Sequence, residues 1–308
     1  MVDRVDVKLG WSCNNRCRFC VQGDKRRRFA DRTTAEARAL LDEARAAADE
    51  VVLTGGEVTL RADLPDLVGH ARALGFRVIQ VQTNGRRLAD EALCDALLGA
   101  GVTEVSPALH GPSAASHEYL TRAPGSFRQT ARGIVNLKRR GARVITNSVI
   151  TRSTARLLGE LGALLVRLGI DQYQLAFPHP VGSAGVGRGD GDGENFSSIV
   201  PRLSLLAPHL RAGLEPGIRA GVPAVTEAVP LCFLRGGLER HAAEGGGRMP
   251  RTRVFDAEGV LPDYREYRLA EGKAKGPPCE ACGAAERCEG PWREYPERFG
   301  WDEFVPLP

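Results

Sequence analysis

The sequence predicts an α/β fold, a partial barrel of six parallel βα units, and two observations lead to it. Short apolar segments of strand length alternate with longer segments in which apolar residues recur at helical spacing, as is typical of parallel βα units. Polar and glycine residues follow directly after these strands, as expected where parallel strands end at one mouth of a barrel. With 308 residues, the chain is long enough for such a barrel and an extension.

The individual elements follow from this alternation. The predicted strands are residues 5–9, 50–54, 77–82, 104–108, 143–149 and 172–176. The predicted helices are residues 34–48, 66–74, 90–99, 127–140 and 154–168. Thr33, followed three residues later by Glu36, forms a capping box that starts the first of these helices.

A Gly- and Asp-rich segment divides the chain, because its composition offers no apolar surface to bury. We therefore predict a barrel domain over residues 1–181, a flexible linker over 182–195 and a C-terminal extension over 196–308. The extension begins with a helical stretch over 197–214 and contains a second flexible patch at 245–247.

Composition and charge indicate a cytoplasmic protein with no membrane partner. The N-terminus is charged and lacks an apolar signal core, and no uncharged apolar run approaches the ~20 residues that cross a bilayer. The eight cysteines are clustered like ligands, which favours a reducing compartment. The net charge is +4, and we interpret the basic run 25–28 as a solvated loop rather than as a patch for an anionic substrate or a nucleic acid, so a nucleic-acid partner is not expected.

Three cysteines stand close together after the first strand: Cys13, Cys17 and Cys20. This spacing can hold a cubane 4Fe-4S cluster by three corners, which leaves the fourth iron open to an outside ligand. Taken alone, the triplet leaves a zinc site or a disulfide framework open as alternatives. Both alternatives lose ground when Gly55, Gly56 and Glu57 follow the second strand.

The Cys-x3-Cys-x2-Cys spacing, the aromatic residue before its last cysteine and the Gly-Gly-Glu turn resemble the motifs of the radical S-adenosylmethionine (radical SAM) superfamily. Further matches, the segments 57–64, 83–85, 106–111 and 125–127, resemble its subgroup related to the molybdenum-cofactor cyclase and to SPASM/Twitch enzymes. This resemblance implies a partial (β/α)6 TIM-like barrel with a small C-terminal iron-sulfur cluster extension. It also implies that the open iron chelates SAM and that reductive cleavage yields a 5'-deoxyadenosyl radical, with flavodoxin or ferredoxin as electron donor.

The same resemblance assigns cofactor contacts. Gly55 and Gly56 would let SAM approach the backbone closely, and Glu57 would accept a hydrogen bond from its ammonium group. Thr83 and Ser106 would contact its methionine end, Asn147 its ribose or carboxylate, Phe19 its adenine, and Arg61 its carboxylate. The remaining candidate cofactor contacts are Asn84 and Phe177. Where the family has proline after the Gly-Gly-Glu turn, this chain has Val58, so a softer turn is expected.

Two histidines near the predicted mouth, His110 and His117, offer an acid or base, and His110 is the candidate catalytic residue. A structural role for both is the favoured interpretation, and the resemblance, which places a His-Gly pair here, implies a shared architectural role.

A second cysteine group lies in the tail: Cys279, Cys282 and Cys288. It resembles the auxiliary cluster region of Twitch-type enzymes, and Cys232 is the natural fourth ligand of a second 4Fe-4S cluster. If Cys232 stays free, an open iron would remain for substrate. A structural zinc on the same four thiolates is the alternative. The isolated Cys94 is interpreted as a small buried apolar residue.

The sequence leaves three functions open. The favoured one is a dehydrogenase-like oxidoreductase of natural-product biosynthesis, which oxidises a sugar- or aminocyclitol-like intermediate and passes an electron to the auxiliary cluster. It is motivated by the twelve residues before Cys13, too few for a leader-binding domain. The second is maturation of a ribosomal peptide by cross-linking, epimerisation or excision. The third is a non-catalytic iron-sulfur or zinc protein.

Overall fold

A computed structural model describes residues 2–185, 194–244 and 249–308. Its centre is one sheet in the order β7-β6-β5-β4-β3-β2-β1-β8-β9. The strands are β1 (Arg4–Lys8), β2 (Glu50–Thr54), β3 (Val78–Thr83), β4 (Glu104–Pro107), β5 (Arg143–Val149), β6 (Gln172–Ala176), β7 (Ala224–Glu227), β8 (Thr252–Asp256) and β9 (Gly259–Leu261). All neighbours from β7 to β8 are parallel, and β9 closes an antiparallel hairpin on β8.

The predicted fold class is confirmed, because all six predicted strands form and pair parallel in chain order. Two further parallel strands extend this partial barrel: β7 pairs with β6, and β8 pairs with β1. Both come from the chain after residue 195, so this part of the chain adds a strand on either side of the predicted six. The division at residues 181 and 195 stays a prediction.

Helices cover the outside of the sheet. In the barrel they are α1 (Lys25–Arg28), α2 (Thr34–Ala47), α3 (Leu64–Ala73), α4 (Glu91–Ala100), α5 (Ala114–Thr121), α6 (Ser126–Arg139) and α7 (Leu158–Arg167). Beyond it they are α8 (Glu194–Ile199), α9 (Leu203–Ala220), α10 (Tyr264–Tyr267), α11 (Pro277–Glu280) and α12 (Glu294–Phe299). The capping box at Thr33 and Glu36 forms as predicted.

The helical stretch predicted over residues 197–214 is wrong in its bounds. Two helices occupy this region, because Pro201 interrupts the backbone pattern between α8 and α9. The second helix then continues to Ala220 through Pro208 and Pro216. Most of the predicted linker, residues 186–193, and the patch at 245–247 lie outside the described residues.

Strand alternation gives the sheet an apolar outside and a polar inside. On β3, Ile79 and Val81 belong to the buried core beneath the helices, so Gln80 and Gln82 face the interior of the barrel. On β5, Val144 belongs to the same core, and Asn147 points inward. On these two strands the interior therefore offers side-chain amide groups.

Among residues 2–185, 194–244 and 249–308, no helix is both long and apolar enough to cross a bilayer.

Candidate active site

The cysteine loop leaves the end of β1 and is fixed at its start by Asp31. One carboxylate oxygen of Asp31 accepts hydrogen bonds from the backbone N–H groups of Trp11, at 2.6 Å, and Ser12, at 2.9 Å. A Cβ on Gly10 would fall 2.4 Å from that oxygen, so only glycine fits there. The loop thus begins from a defined backbone position before it reaches Cys13.

The structure groups Cys13, Cys17 and Cys20 in one half-buried loop. Burial raises the pKa of Cys17 well above its usual range, and the negative charges of Cys20 and Cys13 raise it further. Burial likewise raises the pKa of Cys13, although a hydrogen bond from the Asn15 backbone N–H, at 3.4 Å, lowers it in part. Such a site favours a cationic metal group, which would deprotonate the thiols and offset their mutual repulsion.

The thiols are grouped but do not converge on one ion. In the part of the chain that the structure describes, no three His, Cys, Asp or Glu side chains form a group that could hold a metal ion. A cubane cluster spaces its thiolates wider than a single ion does. Three half-buried thiols on one loop that do not surround a single point fit a cluster in this respect.

The Gly-Gly-Glu turn packs directly against the cysteine loop. Gly56 donates its backbone N–H to the carbonyl of Gly10, and Glu57 donates to that of Ser12, both at 2.8 Å. A Cβ on Gly55 would lie 2.3 Å from the Gly10 carbonyl oxygen, and one on Gly56 would lie 2.3 Å from that of Ser12. The close backbone approach that these glycines permit is therefore to the loop that carries the cysteines.

Glu57 links the ends of two strands from a buried position. Its carboxylate accepts hydrogen bonds from the hydroxyl groups of Thr59 and Thr83, from the Thr59 backbone and from the Asn84 backbone. Asn84 in turn extends its amide toward the loop, 2.6 Å from the side-chain oxygen of Asn14 and 3.9 Å from Cys13 Sγ. Of the residues predicted after β3, Asn84 is the one that touches a cysteine.

Arg61 is held by protein groups. Its guanidinium binds Asp63 with two hydrogen bonds, at 3.0 and 2.7 Å, and donates to the carbonyls of Leu9 and Arg32. Its predicted contact to a SAM carboxylate stays a prediction, and in this structure the side chain ties the Gly-Gly-Glu turn to the end of β1.

The other predicted SAM contacts are dispersed. Ser106 is buried on β4, opposite Gln82 of β3. The side-chain oxygen of Asn147 is buried without a hydrogen-bond partner, which leaves one acceptor for a ligand hydroxyl. Phe19 packs edge-on to His110, at 4.7 Å between ring centres, whereas Phe177 packs in the core against Tyr295.

Both histidines of the mouth are buried and neutral. Burial, with a further contribution from the charge of His117, lowers the pKa of His110 to about 3. Burial also lowers the pKa of His117 to about 4. The Nδ1 atoms of both rings accept backbone hydrogen bonds at 3.1 Å, His110 from Val149 and His117 from His110. These contacts match the favoured structural interpretation.

Two arginines that were not predicted as site residues, Arg26 and Arg86, contact the cysteine loop. Arg86, on the turn after β3, donates to the carbonyl of Asn14 and to the side chain of Asn15. Arg26, on α1, donates to the carbonyl of Asn15 and lies 3.9 Å from Cys20 Sγ. Arg86 immediately follows the Thr83-Asn84-Gly85 segment, which is the one sign of its position in the sequence. The interpretation of the run 25–28 as a solvated loop is wrong, because the run forms α1 and Lys25, Arg26 and Arg28 are bonded to protein groups.

The second cysteine group shares one cleft. Cys232, Cys279, Cys282 and Cys288 all line a cleft with about 410 Å³ of space, its open mouth included. Burial, and then the charges of the other three thiolates, raise the pKa of Cys232 to about 12. Backbone N–H groups point at the sulfurs: Leu231 and Gly290 donate to Cys288 at 3.5 and 3.4 Å, and Leu307 donates to Cys282 at 3.4 Å. Thiolates with backbone donors aimed at them fit an iron-sulfur cluster.

Buried charges adjoin this cleft. Arg268 is fully buried and pairs with Glu227 on β7, Glu244 and Glu289 at 2.7 to 2.8 Å. Lys273 lies 4.0 Å from the ring centre of Trp292, whose ring also stacks on His179 at 3.8 Å. This cluster connects the end of β7 to the segment that carries Cys288.

The sequence matches the model of the Radical SAM superfamily over residues 8–171. This match covers more than half of the chain, and with the thiol loop and the parallel sheet it defines the class: the chain belongs to the radical SAM superfamily. It is therefore a SAM-dependent enzyme of the kind that carries a 4Fe-4S cluster.

Two curated proteins of similar sequence show which radical SAM enzymes the chain resembles. The chain is 30% identical over 175 residues to the AdoMet-dependent heme synthase of Oleidesulfovibrio alaskensis, a match that covers 56% of this chain and 45% of that protein. It is 31% identical over 192 residues to a probable GTP 3',8-cyclase of Metallosphaera sedula, covering 59% and 60%. The matched segments span about half the length of these curated relatives. The predicted likeness to the cyclase and SPASM/Twitch group is confirmed.

Among solved structures, native anSMEcpe with bound AdoMet and Cp18Cys peptide superposes with a TM-score of 0.68 at 15% identity. The superposition covers 100% of this chain and 93% of that one. At this identity the likeness establishes the fold, including the region after the barrel.

Proposed function

We propose that this chain is a radical SAM oxidoreductase that oxidises a small, polar, sugar- or aminocyclitol-like intermediate of natural-product biosynthesis. Cys13, Cys17 and Cys20 would hold the SAM-binding cluster, and the four thiols of the second group would hold an auxiliary 4Fe-4S cluster. When bound, the first cluster and SAM supply a 5'-deoxyadenosyl radical. A two-electron oxidation would require the substrate to give up one hydrogen atom, one electron and one proton, so Cys13, Cys17 and Cys20 would hold the source of the hydrogen acceptor and the second thiol group would hold the electron acceptor, with a base or solvent taking the proton.

One observation carries the proposal: at least one thiol of each group follows the carboxyl end of a parallel strand in one sheet. Cys13 comes five residues after β1 ends at Lys8, and Cys232 comes five residues after β7 ends at Glu227. Because the carboxyl ends of parallel strands open to one side, the two groups face a common mouth. A substrate in that mouth has a hydrogen acceptor on one side and an electron acceptor on the other.

The residues of the chain have defined tasks in this scheme. Glu57, through Thr83 and Asn84, fixes the turn after β3 against the cysteine loop. The buried side-chain oxygen of Asn147, which has no hydrogen-bond partner, would accept a hydrogen bond from a hydroxylated substrate or from the ribose of SAM. The closed four-thiol set suits electron transfer rather than substrate ligation.

The test supplies the reconstituted chain, anaerobically, with SAM, a flavodoxin or ferredoxin reductant and a panel of polyols and aminocyclitols. Mass spectrometry counts deoxyadenosine against oxidised product. One substrate of this class should give the two in equal amounts. Turnover of a peptide, with no oxidation of any small molecule, contradicts the proposal.

A second candidate, peptide maturation, is supported by the superposition on anSMEcpe, whose structure holds a peptide and covers the whole of this chain. In this case the same mouth would admit an extended peptide segment. Incubation with synthetic cysteine- or serine-containing peptides separates the two candidates, since maturation changes the peptide mass or stereochemistry and leaves the polyols unchanged.

A further inference from the structure

The short helix α1 lies directly after the cysteine loop and is fastened from outside by the β8–β9 hairpin. Lys25 Nζ lies 2.9 Å from a carboxylate oxygen of Asp256 and 3.3 Å from one of Glu258. Arg28 pairs with Glu258 at 3.1 Å. Two of the four basic side chains in this run are therefore paired with acids that lie more than 200 residues away in sequence.

Arg26, between these two, turns to the opposite side. Its Nη1 atom donates to the carbonyl of Asn15 at 3.2 Å, inside the cysteine loop. Its Nη2 atom lies 3.9 Å from Cys20 Sγ, within hydrogen-bond reach of a sulfur acceptor. The positive charge also acts on the other two thiols, because it favours the charged forms of Cys13 and Cys17.

The contacts of the neighbours fix this arrangement. With Lys25 and Arg28 held by the hairpin, the backbone of α1 is anchored at both ends, and the guanidinium of Arg26 keeps one bond to a backbone carbonyl. A planar guanidinium can bind a carbonyl and a sulfur at once, which a lysine ammonium on a flexible stem does less well. The half-buried setting also weakens solvent screening of its charge.

We propose that Arg26 raises the reduction potential of the SAM-binding cluster by donating to the Cys20 sulfur. Reduction of the cluster by an external one-electron donor adds one negative charge and makes or breaks no covalent bond. A fixed positive charge beside a ligand sulfur stabilises the more negative, reduced form. Arg26 thus acts through Cys20, and its role rests on the ligation by Cys13, Cys17 and Cys20 proposed above.

The experiment is an EPR-monitored redox titration of the reconstituted full chain. The SAM-binding cluster is recognised by the change of its signal when SAM is added, which separates it from a second cluster. Two matched variants, Arg26→Gln and Arg27→Gln, each remove one positive charge from the same short helix. Only the first removes the donor beside Cys20, since Arg27 is the exposed neighbour.

Arg26→Gln should lower the equilibrium constant for reduction about tenfold, which is ~59 mV for a one-electron couple. Arg27→Gln should leave the midpoint at the wild-type value. Equal shifts in the two variants, or none in either, overturn the proposal. If the wild-type chain shows no SAM-sensitive signal at all, the proposed cluster ligation fails instead, so the two failures are distinguishable.

Arg26→Lys and Arg27→Lys decide the matter if Arg26→Gln takes up no iron. The shorter lysine side chain keeps the charge but moves it away from Cys20. Arg26→Lys should therefore lower the equilibrium constant for reduction by less than tenfold, with a correspondingly smaller fall of the midpoint potential. Arg27→Lys should not change it. If Arg26→Gln binds no iron and Arg26→Lys keeps the wild-type midpoint potential, the proposed role of Arg26 in setting the potential is contradicted.

Discussion

Gly56 shows how one residue without a side chain can hold two loops together. Its backbone is not in the left-handed region, so the requirement for glycine is purely steric: a Cβ would lie 2.3 Å from the Ser12 carbonyl oxygen and 2.5 Å from that of Trp11. No rotamer change relieves contact with backbone atoms. The cysteine loop would have to move.

Gly56→Ala should therefore destabilise the chain by about 1–3 kcal/mol and reduce the iron bound at the cysteine loop. Gly99→Ala is the matched control, because Gly99 lies on α4 with nothing within 4 Å of the position of a Cβ. That change should stabilise by about 0.5–1 kcal/mol. Urea midpoints and iron per chain measure both, and equal behaviour of the two variants would refute the steric role of Gly56.

The histidine pair gives the stability of the chain a dependence on pH. Because the folded-state pKa of His117 is lowered to about 4, the unfolded chain binds the proton first when the pH falls below about 6.5. Stability is thus full at neutral pH and declines between about pH 6.5 and 4. His117→Gln keeps a side-chain acceptor for the His110 backbone and removes the titrating ring.

The variant should lose less stability than the wild type between pH 7 and pH 5, by about 2 kcal/mol, the integral of the pKa difference over that range. Urea unfolding at the two pH values measures the difference. Identical pH dependence in the two proteins would mean that the ring is protonated in the fold.

Residue identities near the site could be predicted from the sequence, but their partners could not. Glu57 and Arg61 were both picked out, because motif and position mark them. The sequence carries no sign that the Arg61 guanidinium reaches the carbonyls of Leu9 and Arg32, or that the Glu57 carboxylate accepts from Thr83. Such contacts depend on where the loops after two strands meet, which spacing alone does not encode.

At the scale of elements, the sequence predicted what is local. Five of the barrel helices and the six central strands carry strong periodicity, and α2 carries its own capping box, whereas the short helices α1 and α5 were not predicted. Strand β8 was missed, since it pairs with β1 across about 248 residues and its five residues include the charged Arg253 and Asp256 beside the apolar ones. Strand β7 has four residues after a glycine and proline, too short for a periodic pattern.

Asp256 links the β8–β9 hairpin to Lys8 of β1 and to Lys25 of α1. Burial works to raise the pKa of its carboxyl, but the charge of Lys8 and hydrogen bonds from Lys8 and Lys25 bring it down to about 2. This one carboxylate therefore joins the end of β1, the start of α1 and the hairpin. Its loss would leave two half-buried ammonium groups without their main partner.

Asp256→Asn should destabilise the chain by about 1–3 kcal/mol and increase hydrogen exchange in residues 24–29 and 252–261. Glu258→Gln is the control, because its half-exposed carboxylate makes only solvent-screened pairs with Lys25 and Arg28, worth about 1 kcal/mol or less. If Asp256→Asn increases hydrogen exchange in the hairpin but leaves that of α1 unchanged, the link between the two elements is refuted.

At the scale of the whole molecule, one sheet carries elements next to two thiol groups that the sequence separates by more than 200 residues. The N-terminal thiols follow β1 and Cys232 follows β7, whereas the other three thiols of the second group lie in the tail. The buried set Arg268, Glu227, Glu244 and Glu289 then fixes the tail to the end of β7. Removing Arg268 from this buried network would cost about 3–5 kcal/mol, because Lys273 would remain, among the residues that the structure describes, as the one nearby buried cation for three carboxylates.

This arrangement predicts that the two chemistries can be separated. Replacing Cys279, Cys282 and Cys288 with alanine should lower the iron content from about eight to about four per chain, the content of one cubane. Deoxyadenosine should still form, because the N-terminal thiols and the Gly-Gly-Glu turn are untouched. The oxidised product should fall below the deoxyadenosine count, since the second electron of the substrate has lost its acceptor.

The complementary variant, Cys13, Cys17 and Cys20 to alanine, should also retain about four irons but form no deoxyadenosine. Iron and sulfide analysis, EPR and product counts on both variants distinguish the outcomes. If the tail variant keeps the wild-type ratio of product to deoxyadenosine, the four-thiol cleft is structural, because an electron acceptor essential to the oxidation would have been removed without effect. Zinc in place of iron at Cys232 and the tail thiols would lead to the same conclusion, since zinc has no second redox state with which to accept an electron.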